Sequence, residues 1–488
     1  MPGARVLQPG PSLPALQPDR SFSHMTDTLL NAPYDGIAAG NEPRLSVADR
    51  PFRLWATVRK WSGKGLLALL DQGLISGANF LIAILLARHL ASRQYGAYAL
   101  AFEVFLFLAV VYGALVLEPL SVFGSSIYRD QLRDYLAALL RIHVVMAVII
   151  LAGVSLAALV LHEVEPREGL SAALLGVAVA APCLLLFWLA RRVSYVGLNP
   201  QQAVLGATVY FAVLSGGLVL IHRSRHLSPL LAFMLMAAGA AVTTPLMLNR
   251  LRRRMASASG SLSVLEVIRR HWRYGRSALA SALAIWFSTA ILYMLLAGSG
   301  GLGDVGEMKA LMNFSSPIGQ VFAALTLLSL PFAARVQHQR GVQGMHPLLW
   351  KLTGLYGGGT LLYWVIVVTF RGPIVNHLYS GKYVHVTTLL PWVALGSILR
   401  ITATAQTITL RAMHSPALAL VAYSAAGVVA VVAGIPSTRF YGVRGAVFTL
   451  ILSSAAALIV ARIMVRRRIS PPNMGGATTN HVSSTTAL

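Results

Sequence analysis

The chain is expected to be all-α, a polytopic membrane protein with about 12 transmembrane helices in two six-helix bundles around a central cavity. Three observations predict this. Of 488 residues, 56% are hydrophobic and only 11% charged, against about a quarter charged in a soluble domain. Mean hydropathy is +0.66. The apolar residues are gathered into continuous runs of roughly 20, the length that crosses a bilayer core as helix. These runs do not alternate in polarity, and an unpaired sheet edge is not tolerated in lipid, so strands and barrels are excluded.

Taken in order, spans are expected near 66–87, 97–120, 135–161, 170–190, 203–221, 229–248, 277–298, 310–333, 348–370, 386–408, 416–435 and 443–464. Basic residues alternate between successive connections. Those after spans 2, 4, 6, 8 and 10 carry Arg129 and Arg133, Arg191 and Arg192, the run from Arg250 to Arg276, Arg335 and Arg340, and Arg411. Arg59, Lys60 and Lys64 precede span 1, and Arg466, Arg467 and Arg468 follow span 12. The opposite loops are poor in Lys and Arg, and "HEVEPREG" at 162–169 is acidic. Because basic residues collect on the cytoplasmic side, both termini are expected inside, which an even number of spans also requires.

The net charge of +24 therefore belongs to membrane topology. No nucleic-acid motif accompanies it, so nucleic acid is not an expected partner. Membrane lipids are, because the connection between spans 6 and 7 suits anionic headgroups. Within it, 261–276 has the pattern of an amphipathic helix lying at the interface. Residues 1–54 and 466–488 are expected to be disordered cytoplasmic tails. Residues 55–248 form the first bundle, 249–276 the basic linker, and 277–465 the second bundle.

The two bundles echo one another. "WSGKGLLALLDQGLISGANFLIAILLA" from Trp61 matches the layout of "WRYGRSALASALAIWFSTAILYMLLAG" from Trp272, and the following spans end near Pro119 and Pro331. Two halves of six spans have the same orientation and are related by an axis along the membrane normal. A substrate path is then expected between them.

Span 1 is the unusual one. Asp71, Gln72, Ser76 and Asn79 fall within roughly 140° of its circumference. Asp71 lies about 8 Å past the start, where an acid is costly against lipid. Glu118, Arg141 and Arg400 are placed at a comparable depth, with Glu103 nearer the other side. Asp71 and Glu118 either line a hydrophilic cavity or pair with Arg141 and fix the packing of spans 1–3.

Other motifs are weak. "GSGGLG" at 298–303 follows a spanning helix rather than a strand, so it is no dinucleotide loop. There is no P-loop, no paired histidine spacing for a metal, and no G-x-S-x-G nucleophile. Cys183 is the single cysteine, which excludes an internal disulfide. No outer loop is long enough for the catalytic loop of a polysaccharide polymerase. Neither an enzyme activity nor a cofactor or metal is expected.

The order of a basic flank, "LLDQGLISGANFLIAILLARHLASRQYGAYALAF", "LEPLSVFG" and ten further spans resembles the Wzx-type oligosaccharide flippases, polysaccharide biosynthesis transporters of the multidrug/oligosaccharidyl-lipid/polysaccharide exporter superfamily. The resemblance covers about 55–465 and is strongest in spans 1 and 2. It implies a bacterial inner-membrane transporter that moves a lipid-linked oligosaccharide to the periplasmic leaflet through a cavity between two bundles. A polysaccharide polymerase and a chain-length regulator are the implied partners. On that reading Arg141 and Arg400 are the candidates for the pyrophosphate head group. Asp71 or Glu103 is the candidate ion-coupling acid. Gln72, Ser76, Asn79, Ser288, Tyr293, Asn313 and Gln320 would line the cavity. Export of another substrate on the same scaffold, by ion coupling, stays open beside it, as does a membrane-embedded polymerase.

Overall fold

The computed structural model describes residues 50–164, 169–197, 199–224, 227–254, 262–413 and 415–469. Two compact units are distinguished, Met1–Ser62 and Gly63–Leu488, and apart from the opening turns of the helix Arg50–His89 everything below concerns the second. Among the described residues all regular structure is helical. In lipid this follows from the backbone, since a helix satisfies its own N–H and C=O groups.

The first bundle holds α1 (Arg50–His89), α2 (Ser92–Tyr112), a π-helical turn (Gly113–Leu117), the short α3 (Glu118–Phe123), α4 (Leu132–Val164), α5 (Leu170–Val196), α6 (Pro200–Ser224) and α7 (Pro229–Arg254). Proline opens α6 and α7, where its missing N–H costs nothing. The Ser228 hydroxyl accepts from the Leu231 N–H at 3.2 Å and caps α7. The second bundle holds α8 (Val264–Ser299), α9 (Gly301–Met312), α10 (Ser316–Thr353), a second π turn (Gly354–Gly358), α11 (Gly359–Thr369), α12 (Arg371–Tyr379), α13 (Leu390–Ala412) and α14 (Pro416–Ile469).

Ten helical runs among the described residues are long and apolar enough to cross a membrane, and the chain is a multi-pass membrane protein. Two of the ten, Gly301–Thr369 and Ala417–Ile469, have 69 and 53 residues, far more than one crossing uses. Each is broken by a glycine with positive φ, Gly341 (φ 57°) and Gly442 (φ 53°), a conformation other residues resist. The breaks fall between expected spans 8 and 9 and between 11 and 12.

At the core of the first bundle is α5, which packs on α4, α7, α2 and α6. By contrast α4 is the least covered of the ten runs, and Val144, Val145, Val148 and Ile149 stand exposed along it. In the second bundle α14 packs on α13 and α8, and α13 on α10. The bundles meet where α2 lies against α8 and α9. Gly96 and Gly306 make that approach possible: a Cβ on Gly96 would stand 1.7 Å from the Leu302 carbonyl oxygen, and one on Gly306 2.2 Å from that of Ser92.

Three boundaries differ from expectation. The predicted tails lie almost wholly outside the described residues, but α1 begins at Arg50 and α14 continues to Ile469, so 466–469 is helical. There Arg466–Arg468 occupy the last turn, where cations favour the carbonyl end of a helix. The linker contracts as well: α7 reaches Arg254 and only 255–261 lie outside the described residues. Finally, the expected interfacial helix is the first part of the 36-residue α8 and continues into span 7 without a break. No proline interrupts it, and Gly275 is retained for contact rather than for a turn: a Cβ there would meet the Ala114 carbonyl at 2.6 Å.

That contact rests on the π turn of α2. A π turn loosens the hydrogen-bond ladder and leaves carbonyls free for other donors. His271 on α8 uses one, donating from Nδ1 to the Leu115 carbonyl at 2.9 Å. Its Nε2 accepts from the Tyr135 hydroxyl at 2.6 Å. One histidine thus ties α8, α2 and α4 together. His271→Phe keeps the bulk and loses both bonds. It is expected to destabilise the purified protein by roughly 1–3 kcal/mol, the cost of leaving buried polar partners unmade, read as a lower thermal midpoint in detergent. An unchanged midpoint would show that the clamp carries no stability.

Candidate functional site

Asp71 is buried (1% exposed), and its partner is Arg191. The guanidinium donates from Nη2 to Oδ2 at 2.6 Å and from Nε to Oδ1 at 3.1 Å, a two-point grip that matches fork to carboxylate. The Tyr195 hydroxyl donates to Oδ2 at 2.6 Å, and Arg191 lies 5.7 Å over the Phe187 ring. Phe187, Arg191 and Tyr195 are spaced by four and share one face of α5. Sequence placed Arg191 in a loop because the apolar run ended at 190. The helix instead continues to Val196, and that added turn carries Arg191 back into the bundle.

Arg141 is therefore not the partner of Asp71. It is exposed on α4, on the same side as exposed Val144, Val145 and Val148. His143, two residues on, faces inward and meets the Tyr112 hydroxyl at 3.0 Å. Two residues turn a helix by about 200°, so Arg141 faces away from α2.

Adjacent residues of span 1 point to different places. While Asp71 turns into the first bundle, Gln72 donates across to Gln320 Oε1 on α10 at 3.0 Å and to Ser76 Oγ at 3.3 Å. Gln72, Ser76 and Gln320 thus lie together between the bundles. Asn79 faces inward again, with Ile75, Phe105 and Trp188, onto a hollow of only ≈ 10 Å³, about room for one water. Its Oδ1 is buried without a hydrogen-bond partner among the described residues.

Two expected lining residues are spent on structure. Ser288 is buried and donates to the Ile285 carbonyl of its own helix at 2.7 Å. Asn313 is buried in a polar knot, donating to the Tyr95 hydroxyl at 2.8 Å and the Tyr379 hydroxyl at 3.2 Å. Tyr379 in turn donates to the Ala310 carbonyl at 2.9 Å. Burial holds the Tyr379 hydroxyl above its ordinary pKa, so it stays a donor. The knot joins α2 of one bundle to α9 and α12 of the other. At the same end Arg88 donates to the His377 carbonyl at 3.2 Å and Lys382 to the Leu90 carbonyl at 3.0 Å. This end of the protein is closed by bonds that cross between bundles.

A second charged group lies between the bundles below that closure. Glu103 on α2 is buried (6% exposed) and interacts electrostatically with Lys309 on α9 and Arg400 on α13. The Lys309 ammonium stands 5.1 Å from the Phe102 ring and 5.8 Å from the Tyr293 ring, cation–π distances that stabilise a charge withdrawn from water. Arg400 also interacts with Tyr293 and Tyr423. Both cations lie deep in the protein yet keep some accessible surface. The cluster has two cations to one carboxylate. Glu103, Tyr293 and Arg400 were candidates from sequence, and the structure brings them together. Lys309 was missed: span 8 was expected to start at 310, one residue beyond it. Starting that helix at Gly301, as α9 does, places Lys309 inside it, after Asp304 and Glu307.

With this geometry in hand, similarity to solved structures becomes informative. An inward-facing multidrug resistance MATE family transporter of the MOP superfamily matches with a TM-score of 0.68 at 12% identity, over 82% of this chain and 94% of that one. The fold is that of the MATE transporters. An outward-facing conformation of such a transporter matches with a TM-score of 0.62 at 15% identity, over 83% and 94%. A MOP superfamily transporter from Pyrococcus furiosus, described as having a binding pocket of reverse polarity that suggests a different function, matches at 0.60 and 14%, over 83% and 94%. No protein-family model matches the sequence, and no characterised protein matches it by sequence. The two bundles of this MATE-like fold meet at the α2–α9 contact and flank the Glu103–Lys309–Arg400 cluster.

Proposed function

We propose that the chain flips a polyprenyl-pyrophosphate-linked oligosaccharide from the cytoplasmic to the periplasmic leaflet of the bacterial inner membrane, by alternating access between its two bundles. The Gly341 and Gly442 breaks support counting twelve spans on this reading, and the basic connections support placing both termini in the cytoplasm. The single observation that carries the substrate class is the cation excess of Lys309 and Arg400 over Glu103 at a partly accessible place between the bundles. The pyrophosphate joining lipid to sugar bears about two negative charges, and such a group is drawn strongly to fixed cations in a poorly hydrated site. Gln72 and Gln320 offer neutral hydrogen bonds suited to sugar hydroxyls.

The closed end, with Tyr95, Asn313 and Lys382, lies opposite the basic loops and is therefore the periplasmic one. This conformer corresponds to the inward-facing state, in keeping with the higher TM-score to the inward-facing transporter than to the outward-facing one. A second reading, export of a small organic cation by ion coupling, is favoured by the likeness to multidrug transporters. The excess of positive charge opposes it.

Deleting the gene is expected to leave the finished lipid-linked repeat unit on the cytoplasmic leaflet. Accumulation of single units on the periplasmic side would instead indicate a polymerase. Complementation separates the two arginines. Arg400→Ala is expected to lose flipping by about a hundredfold, the effect of removing a charged partner worth roughly 3 kcal/mol. Arg141→Ala, on the outer face of α4, is expected to restore it fully. The reverse result would move the head-group site to the first bundle.

A further inference from the structure

We propose that Glu103 is a built-in substitute for the substrate's anionic group, so that the anion and a proton on Glu103 bind this site together. The inference rests on reading the cluster as the seat of an anionic head group. Lys309 and Arg400 are the cations that such a group would meet, and both act electrostatically on the Glu103 carboxylate without forming an ion pair with it among the described residues. An arriving anion therefore competes with Glu103 for the same two charges. Once displaced, the carboxylate would face a like charge in a buried place, with no other cation among its described interactions, an arrangement that one bound proton relieves. Protonating Glu103 first has the converse effect and frees both cations. By linkage the two events favour each other equally.

The surroundings leave few alternatives for that proton. Glu103 is nearly enclosed. From α8 it is faced by Tyr293, from α9 by Lys309 and from α13 by Arg400. Among the described interactions no titratable group of α1, α5 or α7 acts on it. On α5 the neighbouring contact is Trp188 against Phe105, with ring centroids 5.8 Å apart. Lys309 is held in place by two aromatic rings rather than by a hydrogen-bonded acid. Its charge thus stays near the site whichever anion is present.

The test is binding of farnesyl methyl diphosphate, a doubly esterified probe whose two charges do not titrate near neutrality, to the full chain in detergent by calorimetry. Wild type should bind it at least about tenfold more tightly at pH about 5.5 than at pH about 8.5, since one linked proton allows up to tenfold per pH unit. Glu103→Gln should bind tightly at both pH values. Lys309→Met should bind weakly at both, and Lys309→Arg should restore the wild-type slope. A pH slope kept intact in Glu103→Gln, or no probe binding by wild type at either pH, overturns the proposal. Should the variants fail to fold, a flat wild-type profile alone still overturns it. Farnesol measures the contribution of the tail. Binding that follows this pattern in a protein that does not flip lipid-linked sugar would leave the linkage standing and remove the proposed function.

Discussion

Asp71→Leu is expected to be among the most damaging single substitutions in the first bundle, costing about 3–5 kcal/mol, because it leaves Arg191 buried and charged with no counter-ion. Arg191 is only 12% exposed and Asp71 1%. Besides the two guanidinium bonds, the carboxylate takes a hydrogen bond from Tyr195, so its removal leaves two buried donors unanswered. The double variant Asp71→Leu/Arg191→Leu is expected to recover most of the loss, since replacing a buried pair by apolar groups is often neutral. Thermal unfolding of the four proteins in one detergent closes the cycle. A double variant as unstable as Asp71→Leu would show that the pair itself, rather than the stranded charge, sets the cost. Activity separates structure from the proposed function: if the pair serves packing alone, the double variant still supports the proposed flipping.

Gly96→Val is expected to abolish the proposed transport with less effect on folding. The added side chain would overlap the Leu302 carbonyl and the Gly306 nitrogen. These are backbone atoms of α9 and have no rotamer to escape into. The first bundle can still form, but the α2–α9 contact that closes one end cannot. The expected outcome is a protein held with that end open. In a Cys183→Ser background, Ala310→Cys, at a position buried beside the Asn313 knot, reports the change. Its reaction with a membrane-impermeant thiol reagent applied outside whole cells should rise about tenfold or more, the shift produced when closure loses at least about 1.4 kcal/mol. Unchanged labelling with normal transport would mean that the glycine contact is not the closure.

The spans were legible in the sequence because lipid leaves the backbone few options, and the first six expected runs fall within observed helices. The residues that were misplaced sit at the ends of those runs. Arg191 was read as part of a connection and Lys309 lay just outside the expected span 8, since hydropathy stops at the first charge while a helix does not. Each is sheltered by aromatic rings, Phe187 for one and Phe102 with Tyr293 for the other, and such shelter is invisible along the chain. Span 1 was read correctly as a polar stripe, but one helix face borders more than one compartment. A step of about 100° sends Asp71 into the bundle and Gln72 to the other half. Asn313 and Ser288 were misjudged for a different reason: a lone amide or hydroxyl in an apolar run finds a tyrosine or its own carbonyl ladder as readily as a ligand. Arg141 failed on azimuth, its depth being equal to that of residues pointing the opposite way.

The 36 residues of α8 make a rod roughly 54 Å long, pinned at His271 near its basic end. From that pin to Ser299 is about 42 Å of helix without a proline to bend it. Such a rod works as a lever arm: a swing of only about 10° at the fulcrum carries its tip some 7 Å sideways. Modest torque at its basic end is thereby converted into a wide displacement at the other end of the rod, without any helix having to unwind.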